Sequence, residues 1–224
     1  RYQFIFYTDC NFEKYKAIDN IKFNKCKFND YMEMAQSSTG LKINYLSPYK
    51  ICDLRPMFGC IHADDIKGMD FFGWSDMDII YGNIDNFYTD YMLSKYDVFS
   101  THEHILSGHF AFMRNTNKYR NIYKNIYNLE NSLANPEFVG LDEHGLNNAL
   151  RMSILDKAIQ KYGLTCFNSI AQMIAKKRTR NLYFKEQFTT PFTSLMWYDG
   201  TTNSSHPKKW YYKNGKVSNS QDRK

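Results

Sequence analysis

Apolar and polar positions along the chain switch between a two-residue period and a three-to-four-residue period, and the switches mark its elements. Residues 2–8 form an aromatic and β-branched run without Gly or Pro, closed by Asp9, which predicts a buried strand ending at Thr8 and Asp9. Asn29 or Asp30 can cap a helix reaching Gln36, where Ser37, Ser38, Thr39 and Gly40 stop it. Beyond Pro48, the apolar positions Ile51, Leu54, Phe58 and Ile61 recur at helical steps, although Pro56 imposes a kink or an early first turn. Phe71, Phe72 and Trp74 predict a short buried strand running into Asp76 and Asp78. Residues 84–95 then predict a helix, 97–100 and 109–113 two strands, 115–129 an amphipathic helix, and about 143–159 a last helix. A strand at 194–198 and a hairpin of 210–212 with 216–218, turning at Asn214 and Gly215, close the pattern. There is no internal repeat and no linker-like stretch. The alternation implies one α/β domain over residues 1–224 with a β-rich, basic C-terminal part.

Composition narrows the class. Hydrophobic residues at 43% and charged residues at 23% sit near the globular norm, which excludes a disordered tail and a membrane bundle. No apolar run approaches the roughly 20 residues that cross a bilayer, and the first ten residues lack the order of a signal peptide. Cys10, Cys26, Cys52, Cys60 and Cys166 are an odd set without a CxxC pair, so reduced thiols in a cytoplasmic protein are expected. The chain opens on Arg1 inside an apolar stretch and is read as a fragment. Aromatics reach 17%, explained first by core packing and second by stacking on sugars or bases.

The net charge of +6 is uneven. Residues 170–224 carry +8 and residues 1–169 carry −2. The densest run, Lys176, Lys177, Arg178 and Arg180, suits phosphates, anionic lipid heads or nucleic acid, and equally a solvated face.

Asp76 and Asp78 are the residues most able to carry chemistry. In an extended chain, carboxylates two residues apart lie on one face and can share Mg²⁺ or Mn²⁺. A cation held there can neutralise the charge of a departing nucleoside diphosphate. Spacing alone carries no weight, since 16 Asp in 224 residues produce about one such pair by chance. Context adds weight: an aromatic strand precedes the pair and a turn with Gly82 follows, placing it where open α/β sheets bind ligands.

The run PYKICDLRPMFGCIHADDIKGMDFFGWSDMDIIYGNI resembles a family of bacterial polysaccharide-synthesis glycosyltransferases with the GT-A fold. SGHFAFMRN at 107–115, DEHG at 142–145 and an aromatic, basic C-terminal region follow in the family's order, so the likeness covers most of the chain. The resemblance implies a GT-A-like mixed sheet flanked by helices and transfer of a sugar from a nucleotide-diphosphate sugar, with a UDP-sugar the expected donor. It also implies a lipopolysaccharide or capsule glycan acceptor, reached in the cytoplasm or at the inner membrane face. Asp76 and Asp78 then become the DxD metal ligands for Mn²⁺ or Mg²⁺. Thr8 and Asp9 match the base or ribose position, and Lys50, Asp53 and Arg55 match a segment facing the donor. His109, Asp142 and Glu143 fall on the acceptor side, with Asp142 ranked first as the base. The pattern departs at both ends: the family's first strand and phosphate-facing loop would precede Arg1, and a further metal ligand would follow Lys224. His206, before Pro207, is read as a surface turn residue rather than that ligand.

Bland readings stand beside these. Asp53 and Arg55 can be ordinary helix charges, Trp74, Trp197 and Trp210 ordinary core or edge residues, and His102, Glu103 and His104 an exposed loop rather than a zinc site. Two other functions compete: a nucleotidyltransferase on a similar sheet, and a non-enzymatic basic module binding through residues 176–180.

Overall fold

A computed structural model describes residues 2–15, 18–79, 81, 84–151, 181–185, 210–213 and 216–219. The basic run 176–180, the strand expected at 194–198, His206 and the turn at 214–215 lie outside the described residues, as does the helix expected at 143–159 beyond Arg151.

The first strand, β1 (Phe4–Thr8), pairs in parallel with β2 (Ile21–Lys25), with Phe4 opposite Ile21 and Thr8 opposite Lys25. The sequence reading lacked β2, whose polar Lys22, Asn24 and Lys25 leave only Ile21 and Phe23 as an apolar signal. Helix α1 (Phe28–Thr39) starts before Asn29 and Asp30, so neither is its cap. It ends where expected: Gly40 takes the left-handed conformation at φ 71° and its N–H reaches the Gln36 carbonyl at 2.8 Å. Beyond Ser47 the backbone runs as a 3₁₀ helix, Pro48–Met57, before one turn of α2 (Phe58–Ile61). Pro56 explains the change, because it lacks an N–H and its ring crowds the preceding turn of an α-helix. The apolar periodicity still does its work, with Leu54 and Ile61 in the core and Ile51 and Phe58 partly buried against it.

A four-stranded sheet carries the centre of the molecule, in the order β3 (Phe71–Ser75), β5 (Phe110–Arg114), β4 (Val98–Ser100), β6 (Leu182–Phe184). β5 runs antiparallel to both neighbours, and β4 and β6 are parallel. The carboxyl ends of β3 and β4 therefore meet the amino end of β5 at one edge, with Ser75 opposite Phe110 and Ser100 opposite Ala111. That edge is where the site lies.

One face of the sheet is packed throughout and the other in part. Phe72, Trp74, Val98, Ala111 and Met113 pack into one core with Tyr31, Met32, Leu54 and Ile61 from the helical layer. On the other face Phe99 and Phe112 stack at 4.5 Å, and Tyr88 stands edge-on to Phe112 at 4.8 Å. Tyr88 sits where the helix expected at 84–95 breaks into α3 (Ile84–Phe87) and α4 (Asp90–Lys95). Thr89 makes that break by capping α4, its side chain accepting from the Met92 N–H at 3.4 Å. Gly73 is needed at this face: a Cβ there would come within 2.3 Å of the Ala111 carbonyl oxygen and 2.5 Å of Phe112 Cβ.

The helix expected at 115–129 is also divided, into α5 (Asn117–Arg120), a 3₁₀ turn Ile122–Asn125 and α6 (Leu129–Ala134). Asparagines cause the breaks: Asn121 bonds back to the Asn117 carbonyl at 3.0 Å, and Asn128 takes a left-handed φ of 56°. A π-type turn, Leu141–Gly145, then leads into α7 (Leu146–Arg151). The hairpin forms as expected from β7 (Trp210–Lys213) and β8 (Lys216–Asn219), antiparallel with Tyr212 opposite Val217. The architecture is α/β, a mixed sheet flanked by helices. Among the described residues no helix is long and apolar enough to cross a membrane.

Candidate functional site

One guanidinium gathers the sheet edge. Arg55, on the 3₁₀ helix, donates through Nη1 to the Gly108 carbonyl at 2.6 Å and to Asp142 Oδ2 at 2.9 Å. Its Nη2 donates to Asp76 Oδ1. Three residues singled out separately from the sequence are thus in direct contact.

Each is held by a local device. Asp76 follows β3, and its N–H continues the ladder by donating to the His109 carbonyl at 2.8 Å, which fixes where its half-exposed carboxylate stands. Gly140, at φ 75°, starts the π-type turn that carries Asp142 inward until it is almost wholly buried. Glu143 Oε1 accepts the Gly108 N–H at 3.2 Å, and a Cβ on Gly108 would collide with that same oxygen at 2.5 Å. Gly108 was missing from the sequence reading although it lies in the SGHF segment, because its contribution is made by main-chain atoms. His109 turns its Nε2 to Thr101 Oγ1 at 3.2 Å and packs edge-on to His102 at 5.0 Å.

Charge is unevenly matched here. Burial pushes the Asp142 carboxyl up to about 6, a rise that Arg55 opposes and Glu143 and Asp53 assist. Burial alone would lower the Arg55 guanidinium, but Cys52, Asp76 and Asp142 together carry it upward, so it stays charged. Asp142 Oδ1 is buried and has no hydrogen-bond partner among the described residues.

A stability prediction follows from the raised Asp142. Between the ordinary Asp range and pH 6 the folded protein binds a proton that the unfolded chain has released, so stability falls as pH rises through that window. Relative to Asp142→Asn, the unmodified protein is expected to lose on the order of 2 kcal/mol between pH 4 and pH 7. Denaturant unfolding at a series of pH values checks this, and parallel curves for the two proteins would contradict it.

Residues 1–221 match a family of unknown function, DUF6625. The chain belongs to that family. No curated protein and no solved structure matches it.

The other expected site residues separate into two groups. Lys50 and Asp53 were expected to face the donor, yet both are wholly buried and pair at 2.9 Å. Lys50 also donates to the Ser132 and Glu137 carbonyls at 3.1 and 2.8 Å, while Asp53 accepts the Val139 and Leu141 N–H groups at 3.0 and 2.8 Å. Every one of these bonds points inward, so the pair clamps the loop before Asp142 and has no surface with which to touch a nucleotide. Thr8 ends β1 and Asp9 follows it in the bend, with Thr8 Oγ1 accepting the Cys10 N–H at 3.1 Å. Among the described residues no bond joins them to the Arg55 cluster.

Asp78 is exposed in the turn after β3, outside the extended geometry expected of the pair. Among the described residues no three His, Cys, Asp or Glu side chains form a metal-binding group. The donor set still suits a hard cation, since Mg²⁺ is commonly held by one or two carboxylates completed by substrate phosphates and water. Asp76 Oδ2, left open by Arg55, and the exposed Asp78 are oxygen donors of that kind. Next to Asp76 a groove of about 980 Å³ separates β1 from β3, lined by Phe4, Tyr7, Phe71, Trp74 and Tyr81 among others.

Proposed function

We propose that this protein is a metal-dependent glycosyltransferase that moves a sugar from a nucleotide-diphosphate sugar, with UDP as the expected nucleotide, to a cell-surface glycan or lipid-linked glycan. The observation that carries the reading is the meeting of Asp76, Arg55 and Asp142 at the carboxyl edge of the mixed sheet. A groove of about 980 Å³ beside Asp76 is of the size that admits such a donor.

Asp76 and Asp78 would hold Mn²⁺ or Mg²⁺, and the bound cation supplies positive charge to the departing diphosphate. Arg55 adds a fixed donor beside that charge, its position set by the Gly108 carbonyl. Asp142, expected as the base, is almost wholly buried with its Oδ1 sealed from solvent, so its part is to hold the Nη1 arm of Arg55 rather than to meet an acceptor hydroxyl. Glu143 holds the Gly108 segment against the turn that carries Asp142. His109 anchors Asp76 through its carbonyl. On the same reading the acceptor is met in the cytoplasm, at the inner membrane face.

Thermal unfolding with UDP, GDP or CMP, each with and without Mn²⁺, tests the reading without knowledge of the acceptor. A nucleotide at about 100 times its Kd stabilises by about 2.7 kcal/mol, which for a chain of this size is a rise in Tm of about 5–10 °C. The expected result is such a rise with UDP only when Mn²⁺ is present. Absence of a response to every nucleotide would overturn the proposal.

A further inference from the structure

Arg55 occupies an unusual place for a residue beside a cation site. Its Nη2 is bonded to Asp76, the carboxylate expected to bind the metal, while its Nη1 is bonded to Asp142 and to the Gly108 carbonyl. Asp76 is therefore already neutralised by a permanent positive charge from its own chain. A divalent cation approaching Asp76 meets that charge at close range.

The geometry of the guanidinium resolves the conflict. The two terminal nitrogens are separate donors on one rigid plane, and here they divide their work. Nη1 has two acceptors on parts of the chain unconnected with the metal, Gly108 and buried Asp142, and these hold the arginine in place. Among the described residues Nη2 has one partner, the partly exposed Asp76. Loss of that single bond costs little anchorage and leaves Nη2 with free N–H donors beside Asp76.

We propose that Arg55 is the resident counter-ion of Asp76, and that cation binding at Asp76 and release of the Arg55 Nη2 arm are one coupled event. This deepens the glycosyltransferase reading and rests on it for the identity of the metal site. Its consequence is an ordered site. Without the cation, Arg55 spans Asp76 and Asp142. With the cation, Nη2 is free to donate to an anionic oxygen of the donor, so the diphosphate gains two positive partners, one of them released by the other's arrival.

The test is Mn²⁺ affinity, measured by electron paramagnetic resonance on the unmodified protein and on variants, with no substrate present. Arg55→Gln/Asp142→Asn removes the arginine and its buried partner together, so the change leaves no unpaired buried charge and preserves the net charge of the cluster. This double variant is expected to bind Mn²⁺ about tenfold or more tightly than the unmodified protein, because Asp76 no longer has a competing cation. Asp142→Asn alone, which keeps Arg55, is expected to show no such gain. A double variant that binds no more tightly than the unmodified protein, or a single variant that gains as much, would overturn the coupling.

A second measurement needs no substitution. Mg²⁺ titrated into ¹⁵N-arginine-labelled protein is expected to shift the Arg55 guanidinium signal with the same midpoint as metal binding. A signal unmoved by bound Mg²⁺ would overturn the proposal. If metal binds with Arg55 unchanged, only the coupling fails. If none of the proteins binds a divalent cation, the metal site of the proposed function fails with it.

Discussion

Asp76→Asn is expected to lower sugar transfer by about 10²–10³-fold, the scale set by removing one charge-stabilising group from a transition state. It is also expected to abolish the Mn²⁺-dependent rise in Tm with nucleotide. Asparagine has the shape of aspartate and keeps an oxygen for the Arg55 Nη2, so the contacts that assemble the edge persist. The backbone bond from residue 76 to the His109 carbonyl is untouched. What disappears is the negative charge, and with it the strongest oxygen donor for a hard cation. Because the side chain is about one-third exposed, the fold is expected to tolerate the change within roughly 1 kcal/mol. Activity, nucleotide response and Tm measured on the same sample separate the two effects. Full activity with an intact metal response would remove Asp76 from the mechanism.

The second large effect is on stability. Lys50→Met is expected to destabilise the protein by about 3–5 kcal/mol, the cost of leaving a buried charge without its partner, which is a fall in Tm of about 10 °C or more. Lys50 and Asp53 have no exposed surface, so water cannot replace the lost ammonium. The Ser132 and Glu137 carbonyls lose their donor in the same step. Replacing both charges by apolar residues commonly rescues such pairs. Here Lys50→Met/Asp53→Leu is expected to remain destabilised, because the Val139 and Leu141 N–H groups would lose the carboxylate they donate to. Chemical denaturation of the two variants checks both statements. Near-normal stability of Lys50→Met would mean that the clamp carries little of the fold's energy.

The two predictions divide residues that sequence reading had grouped together. Lys50, Asp53 and Arg55 fall within six positions and all carry charge, so spacing assigns them one role. A 3₁₀ helix repeats every three residues, which aligns Lys50 with Asp53 and turns Arg55 to another side, and their partners differ accordingly. Lys50 and Asp53 meet the carbonyls and amides of the loop at 132–141, whereas Arg55 meets Gly108, Asp76 and Asp142. Those partners lie 21 to 88 positions away and leave no trace in local pattern.

Strands were the most legible elements. The runs ending in Thr8, Ser75, Ser100 and Arg114 are rich in aromatic or β-branched residues, and each became a strand within two residues of expectation. Helices were legible in place and illegible in continuity. Apolar periodicity at 84–95 and 115–129 records which side chains face the core, and a broken path can satisfy that as well as a straight one. Thr89, Asn121 and Asn128 decide the breaks through local side-chain and backbone geometry. β2 and β6 were absent from the reading because strands of five and three residues acquire their identity from the partner that hydrogen-bonds to them.

The amino-acid sequence by itself determined the α/β alternation, the strand that delivers Asp76, the glycine that ends α1 and the short list of residues able to carry chemistry. Tertiary structure alone decided that Arg55 stands between Asp76 and Asp142, that Lys50 and Asp53 are buried as a clamp, and that Gly108 joins the site through its main chain. The physical reason is range. Side-chain periodicity and turn chemistry act over a few residues, whereas charge pairing and desolvation depend on which distant segments the packed sheet brings within about 3 Å.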